Sequence, residues 1–374
     1  MAKFFSDHEV TERVLSHVRD GTTAKGSEVW REPVENYRSA ERFRSEIELL
    51  RRLSVPFCPS AALPEPGSYI ARNAAGVPIV VVRGSDGRVR AFRNACRHRG
   101  AEVAQGAGCT RAFVCPYHGW TYRLDGGLQH VSHEQGFPGL DKSEHGLVPV
   151  AADERAGLVF VNQSGEADGH DPALGLDGVV SPDLDLIDTH RTDARVNWKV
   201  SLEGSIEGYH IRFGHSETFY PYGYDNLNLI ESCGRNSRVT FPFRRIEKLA
   251  DIPTDERCVE GRVTYIYHLF PNALIAVLSR HVNLVVLEPL DVDRTLMIAY
   301  ALAKTGGDPD AVDSARRDAE FVNTSGAVED LALVEGIQRG IDSGANEHFT
   351  FGHFESAIVQ FHRNLHTALA AVRS

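Results

Sequence analysis

Two groups of side chains in this sequence have the types and spacing for metal chemistry. The first reads Cys96-x-His98, sixteen intervening residues, then Cys115-x-x-His118. Two thiolates and two imidazoles at this spacing can come from the tips of two adjacent loops. A mixed-ligand [2Fe–2S] centre needs that set, two Cys on one iron and two His on the other. A structural Cys₂His₂ zinc site uses the same four donors, and the spacing alone leaves both open. The second group is Glu207-Gly-Tyr-His210, with His215 five residues on. One carboxylate and two imidazoles in so short a stretch suit Fe(II). With 17 histidines in the chain, a chance pair of ordinary, partly buried histidines is the competing reading.

The elements around these groups follow from periodicity and turn residues. Ile79 to Val82 is a β-branched run, Gly84-Ser85-Asp86-Gly87 a turn, and Val89 to Phe92 a returning strand, so a hairpin leads into Cys96. Phe113-Val114 leads into Cys115, and Trp120-Thr121-Tyr122 leads out. Leu158 to Val161 closes the segment. A small antiparallel β domain over 66–165 is the economical reading. Before it, residues 1–65 form a helical extension, with an amphipathic helix at about 36–53 on Tyr37, Ala40, Phe43, Ile47 and Leu50. Pro56, Pro59, Pro64 and Pro66 then mark a linker.

Residues 166–374 form the larger domain. A Gly-, Asp- and Pro-rich connection at 166–190 precedes the Glu207 group. Val263 to Phe270, Leu274 to Leu278, Val282 to Leu287 and Leu296 to Leu302 read as strands joined too tightly for crossovers, hence antiparallel. Val328, Leu331, Val334, Ile337 and Ile341 share one helix face, and Phe354, Ile358, Phe361, Leu365 and Leu369 share another. The class is α+β, a sheet gripped by helices.

Composition narrows the function. A net charge of −11 argues against nucleic acid as a partner. No apolar run approaches the roughly eighteen residues that span a bilayer, and the first residues lack a signal-peptide core. Six cysteines in 374 residues make no disulfide framework. A reducing cytoplasm is the expected location.

With their filling residues, the two loops read Cys96-Arg-His98-Arg-Gly100 and Cys115-Pro-Tyr-His118-Gly119-Trp120, which resemble the two cluster-binding loops of Rieske proteins. Asn197-Trp198-Lys199 followed by Glu207-x-Tyr-His210-x₄-His215 resembles the mononuclear-iron motif of the Rieske non-haem iron oxygenases, catalytic (alpha) subunit. The resemblance covers about residues 35–370. It implies a Rieske domain with a [2Fe–2S] cluster on Cys96, His98, Cys115 and His118, and a helix-grip catalytic domain with Fe(II) on His210 and His215. The third iron ligand comes from a C-terminal helix, where Glu329-Asp330 resembles the family's Glu-Asp pair. Asp330 is the candidate, a solvated helix residue is the alternative, and Glu329 is the runner-up ligand. Glu207 takes the family's bridging position between the iron histidine and a cluster histidine of the neighbouring subunit. Aspartate is more usual there; glutamate resembles a subset that includes quaternary-amine monooxygenases. Gly204 departs from the family's Asn and leaves one bridging hydrogen bond unaccounted for.

The implied activity is terminal oxygenation. O₂ and electrons from a ferredoxin and/or flavin reductase, supplied by NAD(P)H, hydroxylate a small organic substrate, expected to be aromatic, by mono- or dioxygenation. Demethylation of an alkylamine or methoxy compound is the alternative, and a Rieske electron carrier without oxygenase activity is the alternative from another class. A homotrimer and a role in aromatic hydrocarbon catabolism are further implications. Phe213, Phe219, Tyr220, Tyr222 and Tyr224 form either an aromatic cage for a cation or ordinary packing. His281 and Asn283, with Phe213, are the candidate substrate contacts, and alternation leaves open which of the polar residues near 280 points inward.

Overall fold

The computed structural model describes residues 3–165 and 169–373; the first two residues of the expected extension, the start of the connection at 166–190 and the last residue lie outside them. The contacts form two compact units. One starts at Leu50 and runs to the connection; the other joins the residues up to Leu49 with those from Gly169 onward. The boundary expected at 66 therefore lies at 50. The segment assigned to a proline-rich linker contains a fully buried strand, Val55–Pro59, paired antiparallel with Leu158–Asn162. It is an edge strand of its sheet, and edge strands tolerate the missing N–H groups of Pro56 and Pro59.

The smaller unit is built on a seven-stranded antiparallel sheet in the order Val55–Pro59, Leu158–Asn162, Pro149–Arg155, Val89–Arg93, Val77–Arg83, Ser68–Ala74, Gly106–Cys109. The hairpin expected around 84–87 is present, with Ile79 opposite Arg93 and Val81 opposite Ala91. Ile79, Val80, Val81 and Val82 are all wholly buried. A strand covered on both faces reads as a continuous apolar run rather than an alternating one. A three-stranded sheet of Phe113–Val114, Thr121–Tyr122 and Leu128–His130 carries the second loop. Val80, Val82, Phe92, Phe113, Trp120 and Tyr122 share one core cluster with Cys96 and Cys115.

The larger unit carries another seven-stranded antiparallel sheet, in the order Asp185–Ala194, Arg294–Ala303, Val282–Asp291, Ala273–Val277, Val263–Leu269, Asn236–Pro242, Leu229–Cys233. The four strands expected from 263 onward are its centre. The strand Asp185–Ala194 was hidden in the connecting stretch, since it is an edge strand exposed on both faces and shows no alternation. The chain's helices are α1 (Asp7–Asp20), α2 (Glu35–Arg38), α3 (Ala40–Arg52), α4 (Trp198–Ser205), α5 (Ile211–Gly214), α6 (Pro309–Thr324), α7 (Gly326–Asp342) and α8 (Ser356–Arg373).

The single helix expected over 36–53 is broken at Ser39, which is extended (ψ 119°) and whose hydroxyl accepts the Arg42 N–H at 3.2 Å. A residue with an extended backbone and a capping hydroxyl starts a new helix rather than continuing one. The middle of α3 is fastened to α4 through a buried carboxylate. Glu46 accepts from Lys199 Nζ at 2.7 and 2.8 Å, from Trp198 Nε1 at 2.9 Å and from Arg42 Nε at 2.9 Å. On α7, Val334 and Ile341 are buried, whereas Val328 and Ile337 of the same predicted stripe are exposed.

Candidate metal centres and active site

In the smaller unit the two loops share one backbone design. The Cys96 carbonyl accepts the Gly100 N–H at 2.8 Å, and the Cys115 carbonyl accepts the Gly119 N–H at 3.0 Å. Each cysteine N–H in turn reaches the carbonyl closing its own loop, Ala101 and Trp120, at 2.8 Å. Gly100 and Gly119 sit at φ 82° and 70°, where a side chain is disfavoured. This explains why both motifs place Gly four residues after Cys.

The loop design buries both thiols and leaves His98 half-buried and His118 exposed. The imidazoles lie with ring centroids 4.7 Å apart, and His98 stacks on buried Trp120 at 5.0 Å. Burial raises the Cys96 thiol, opposed by the Tyr122 hydroxyl and the His98 N–H. Tyr122 accepts the Arg97 N–H at 2.8 Å, so its own proton is free to point at Cys96 Sγ, 3.1 Å away. Soft donors inside and imidazoles outside suit a cluster with one Cys-bound and one His-bound iron.

In the larger unit, His210 and His215 flank the one-turn helix α5, and Asp330 comes from α7. Their donor atoms converge. His210 Nε2 and His215 Nε2 are 3.3 Å apart, and Asp330 Oδ1 lies 3.5 and 2.9 Å from them. Two ligands at right angles, each about 2.1 Å from one metal, stand about 3 Å apart, so these three donors fit one face of an octahedral ion. Burial works to lower the His210 pKa, but hydrogen bonds to Asp330 and Glu207 outweigh it and push it up to about 10. Asp330 is held below the ordinary carboxylate range; burial opposes this, and His210 and His215 prevail.

The outer nitrogens are also occupied. His215 Nδ1 lies 2.7 Å from Glu329 Oε2, which also accepts from the Thr218 hydroxyl at 2.7 Å. Glu329, the runner-up ligand, is thus placed on the far side of the imidazole from the three converging atoms. His210 Nδ1 contacts Glu207 Oε1, and Glu207 Oε2 accepts the backbone N–H of Tyr209 and of His210. Carboxylates in these positions fix the tautomer and ring orientation of metal-binding histidines.

Glu207, His210, His215 and Asp330 line a cavity of about 800 Å³. Asn283 and Val285 line it, so the odd positions of strand Val282–Asp291 face inward. Of the other expected substrate contacts, His281 is buried outside the lining with Nδ1 2.8 Å from Asp318 Oδ2; its neighbour Arg280 donates to Ser314 at 2.7 Å. Phe213 does not belong to the cavity. It sits on the outer side of α5, 80% exposed, because the turn that aims both histidines inward points residue 213 away. Phe219, Tyr222 and Tyr224 do line it, as do Phe241, Phe243 and Phe321, which the sequence pattern did not single out. Gly204 lines it too.

Two known protein families match the chain. The family model "Ring hydroxylating alpha subunit (catalytic domain)" matches residues 183–371, and "Rieske [2Fe-2S] domain" matches residues 54–141. The chain belongs to the ring-hydroxylating oxygenase alpha subunits. As such it is the oxygenase component of a Rieske system, with a [2Fe–2S] cluster and a mononuclear iron, and it depends on O₂ and a separate electron donor. The carnitine monooxygenase oxygenase subunit of Acinetobacter baumannii is 28% identical over 371 residues, covering 89% of this alpha subunit and 95% of that protein. The glycine betaine monooxygenase oxygenase subunit of Chromohalobacter salexigens is 36% identical over 161 residues, 41% of this chain and 36% of that one. A crystal structure of a quaternary ammonium Rieske monooxygenase with a bound inhibitor superposes with a TM-score of 0.79 at 26% identity, covering 91% of this chain and 95% of that one. Aromatic hydrocarbon catabolism, expected from the family resemblance, gains no support from these relatives, which act on quaternary amines. No described helix is long and apolar enough to cross a membrane.

Proposed function

We propose that Cys96, His98, Cys115 and His118 hold the cluster, that His210, His215 and Asp330 hold the iron, and that this oxygenase monooxygenates a quaternary ammonium compound. The observation that carries the reading is the convergence of His210 Nε2, His215 Nε2 and Asp330 Oδ1, within 4.8 Å of one another, on the wall of a cavity that also carries Phe219, Tyr222, Phe241 and Phe243. When bound, the two groups supply single electrons and a site for O₂ activation. Asp330 supplies the one anionic donor. Glu329 and Glu207 accept the Nδ1 protons of His215 and His210, which leaves both Nε2 lone pairs facing Asp330. The reaction balances with one oxygen atom entering the substrate and the other leaving as water, for two electrons and two protons. A ferredoxin and/or flavin reductase fed by NAD(P)H supplies those electrons.

The substrate class rests on the relatives and on what lines the cavity. Phe219, Tyr222 and Phe241 offer ring surface to a methylated cation. Phe243 and Tyr224 already have guanidinium groups over their rings, Arg245 at 4.8 Å and Arg244 at 5.5 Å. Both arginines line the cavity, where they would face the carboxylate of a zwitterion such as carnitine or betaine. Asn283 is a polar contact on the sheet side, with Thr192 and Thr264 on other strands of the same sheet.

The assembly is a homotrimer in which each cluster serves the iron of the next chain. Exposed Tyr209, Phe213, Val328, Leu333 and Ile337, all on the iron-site segments or α7, support an apolar contact there. The cysteines form no disulfide among the described residues, which fits a reducing cytoplasm.

Oxygen uptake with a reconstituted reductase tests the substrate class. The panel comprises carnitine, betaine and choline, their uncharged tert-butyl isosteres, and benzoate-type aromatic acids. At least one quaternary ammonium compound is expected to drive uptake with product, and its tert-butyl isostere to lose tenfold or more. Coupled turnover of aromatic acids with none on any quaternary amine would overturn the substrate class.

A further inference from the structure

A second cluster of ligating side chains lies outside the catalytic cavity. His362 and His366 are four residues apart on α8, a spacing that puts both on one helix face. Glu32, from the short strand Trp30–Pro33, meets them there. Ligand atoms of the three lie within 4.8 Å of one another. His366 Nε2 is 3.1 and 3.0 Å from the two Glu32 oxygens, and His362 Nδ1 is 3.5 Å from Glu32 Oε2.

The protons on His362 make this arrangement informative. Its Nε2 lies 2.9 Å from Glu203 Oε1, which also accepts from the Tyr37 hydroxyl at 2.8 Å. A carboxylate only accepts, so Nε2 carries the proton. In the neutral ring Nδ1 then presents a bare lone pair. That atom is buried and has no hydrogen-bond partner among the described residues, although His362 is wholly buried. It faces the Glu32 carboxylate, whose oxygens also accept from Trp30 Nε1 and Asn36 Nδ2. A lone pair and a carboxylate facing each other in a buried site repel unless a cation stands between them. At 3.5 Å from Glu32 Oε2, Nδ1 makes no hydrogen bond to the carboxylate, and a proton there would give only a long ion pair.

We infer that Glu32, His362 and His366 form a second metal site, one that takes Zn²⁺ or a similar borderline divalent ion. The donor set of two imidazoles and one carboxylate is that of three-ligand zinc sites, with water completing the coordination. The outer partners match as well. Glu203 orients His362, while Trp30 Nε1 at 2.9 Å and Asn36 Nδ2 at 2.6 Å orient Glu32. His366 is partly exposed and gives the ion a way in. The ion ties the strand Trp30–Pro33 to α8, and through Glu203 to α4, the helix leading to Glu207. Its role is structural, since none of its three ligands lines the catalytic cavity.

Zinc counting on the full-length protein with its cluster in place tests this. Protein stripped of loosely bound metal is equilibrated with buffered Zn²⁺, desalted and analysed for zinc by mass spectrometry. The comparison is Asp330→Ala, in which the iron site is disabled, against Asp330→Ala combined with His366→Gln or Glu32→Gln. One zinc per chain is expected in the single variant, with a loss of 100-fold or more in affinity in each double variant. Zinc-edge absorption should show nitrogen and oxygen neighbours with imidazole scattering and no sulfur. A zinc-dependent rise in melting temperature should vanish with His366→Gln, whose partly exposed site tolerates the change. Equal zinc in single and double variants, or sulfur in the zinc shell, would overturn the site and leave a protonated His362 paired with Glu32. Neither readout depends on turnover, so the oxygenase reading stands or falls separately.

Discussion

At the scale of single residues, the site separates two neighbouring carboxylates that the sequence could not. Asp330 meets the Nε2 atoms of both histidines, and Glu329 meets Nδ1 of His215. Asp330→Ala should therefore abolish tight iron binding and turnover while the cluster's visible spectrum persists. Glu329→Gln should keep iron but weaken it about 10- to 100-fold, the usual effect of removing a histidine's outer partner. Iron per chain, measured against chelator concentration, checks both; the reverse ranking would exchange their roles. Tyr122 offers a second residue-scale prediction. Its hydroxyl is aimed at Cys96 Sγ, and a hydrogen bond to a cluster sulfur favours the reduced, more negative form. Tyr122→Phe should lower the cluster potential by tens of millivolts, on the order of one neutral hydrogen bond in a one-electron couple. An unchanged potential in a redox titration would mean that the hydroxyl does not touch the sulfur. The four loop donors and the two histidines that converge with Asp330 were legible because donor type and spacing are local properties of the chain. Phe241, Phe243 and Phe321 were not, since only the sheet and α6 bring them to the cavity. Phe213 misled because its place in sequence beside the ligands says nothing about which way a one-turn helix faces.

At the scale of elements, the buried Glu46 explains how an N-terminal helix takes part in positioning the iron motif. It holds Lys199 and Trp198 at the start of α4, and both Glu46 and Lys199 are almost wholly buried. Burial works to lower the Lys199 pKa, and Glu46 opposes it. Removing one partner leaves the other charge uncompensated, so Glu46→Ala should destabilise by about 3–5 kcal/mol. Glu46→Ala with Lys199→Met should recover much of that loss. Urea midpoints of the two variants provide the check, and equal midpoints would make the ion pair energetically idle. The helix was legible from its apolar spacing, but its partner was not, because Glu46 and Lys199 are about 150 residues apart and each looks solvated in its own segment. The same limit hid the strand Asp185–Ala194, polar on both faces, and the start of the smaller unit at Leu50, where prolines on an edge strand read as a linker. The hairpin at 84–87 and the strands from 263 onward were legible because their turns are short and their pairing is sequential.

At the scale of the whole molecule, the account needs two metal centres that work across a chain boundary. Co-expression of His98→Ala with Asp330→Ala should therefore restore activity that each variant lacks. Random assortment of equal amounts in a closed ring places an intact donor against an intact acceptor at about a quarter of the contacts. Activity no higher than in either variant alone would place electron flow within one chain. The central claim is that this chain inserts oxygen from O₂ into a quaternary ammonium substrate. A single turnover of chemically reduced protein with ¹⁸O₂ and that substrate, read by product mass, tests it most directly. The predicted result is one labelled oxygen atom in the first oxygenated product, formed by wild type and absent with Asp330→Ala. Product from wild type without label, or with two labelled atoms, would contradict it.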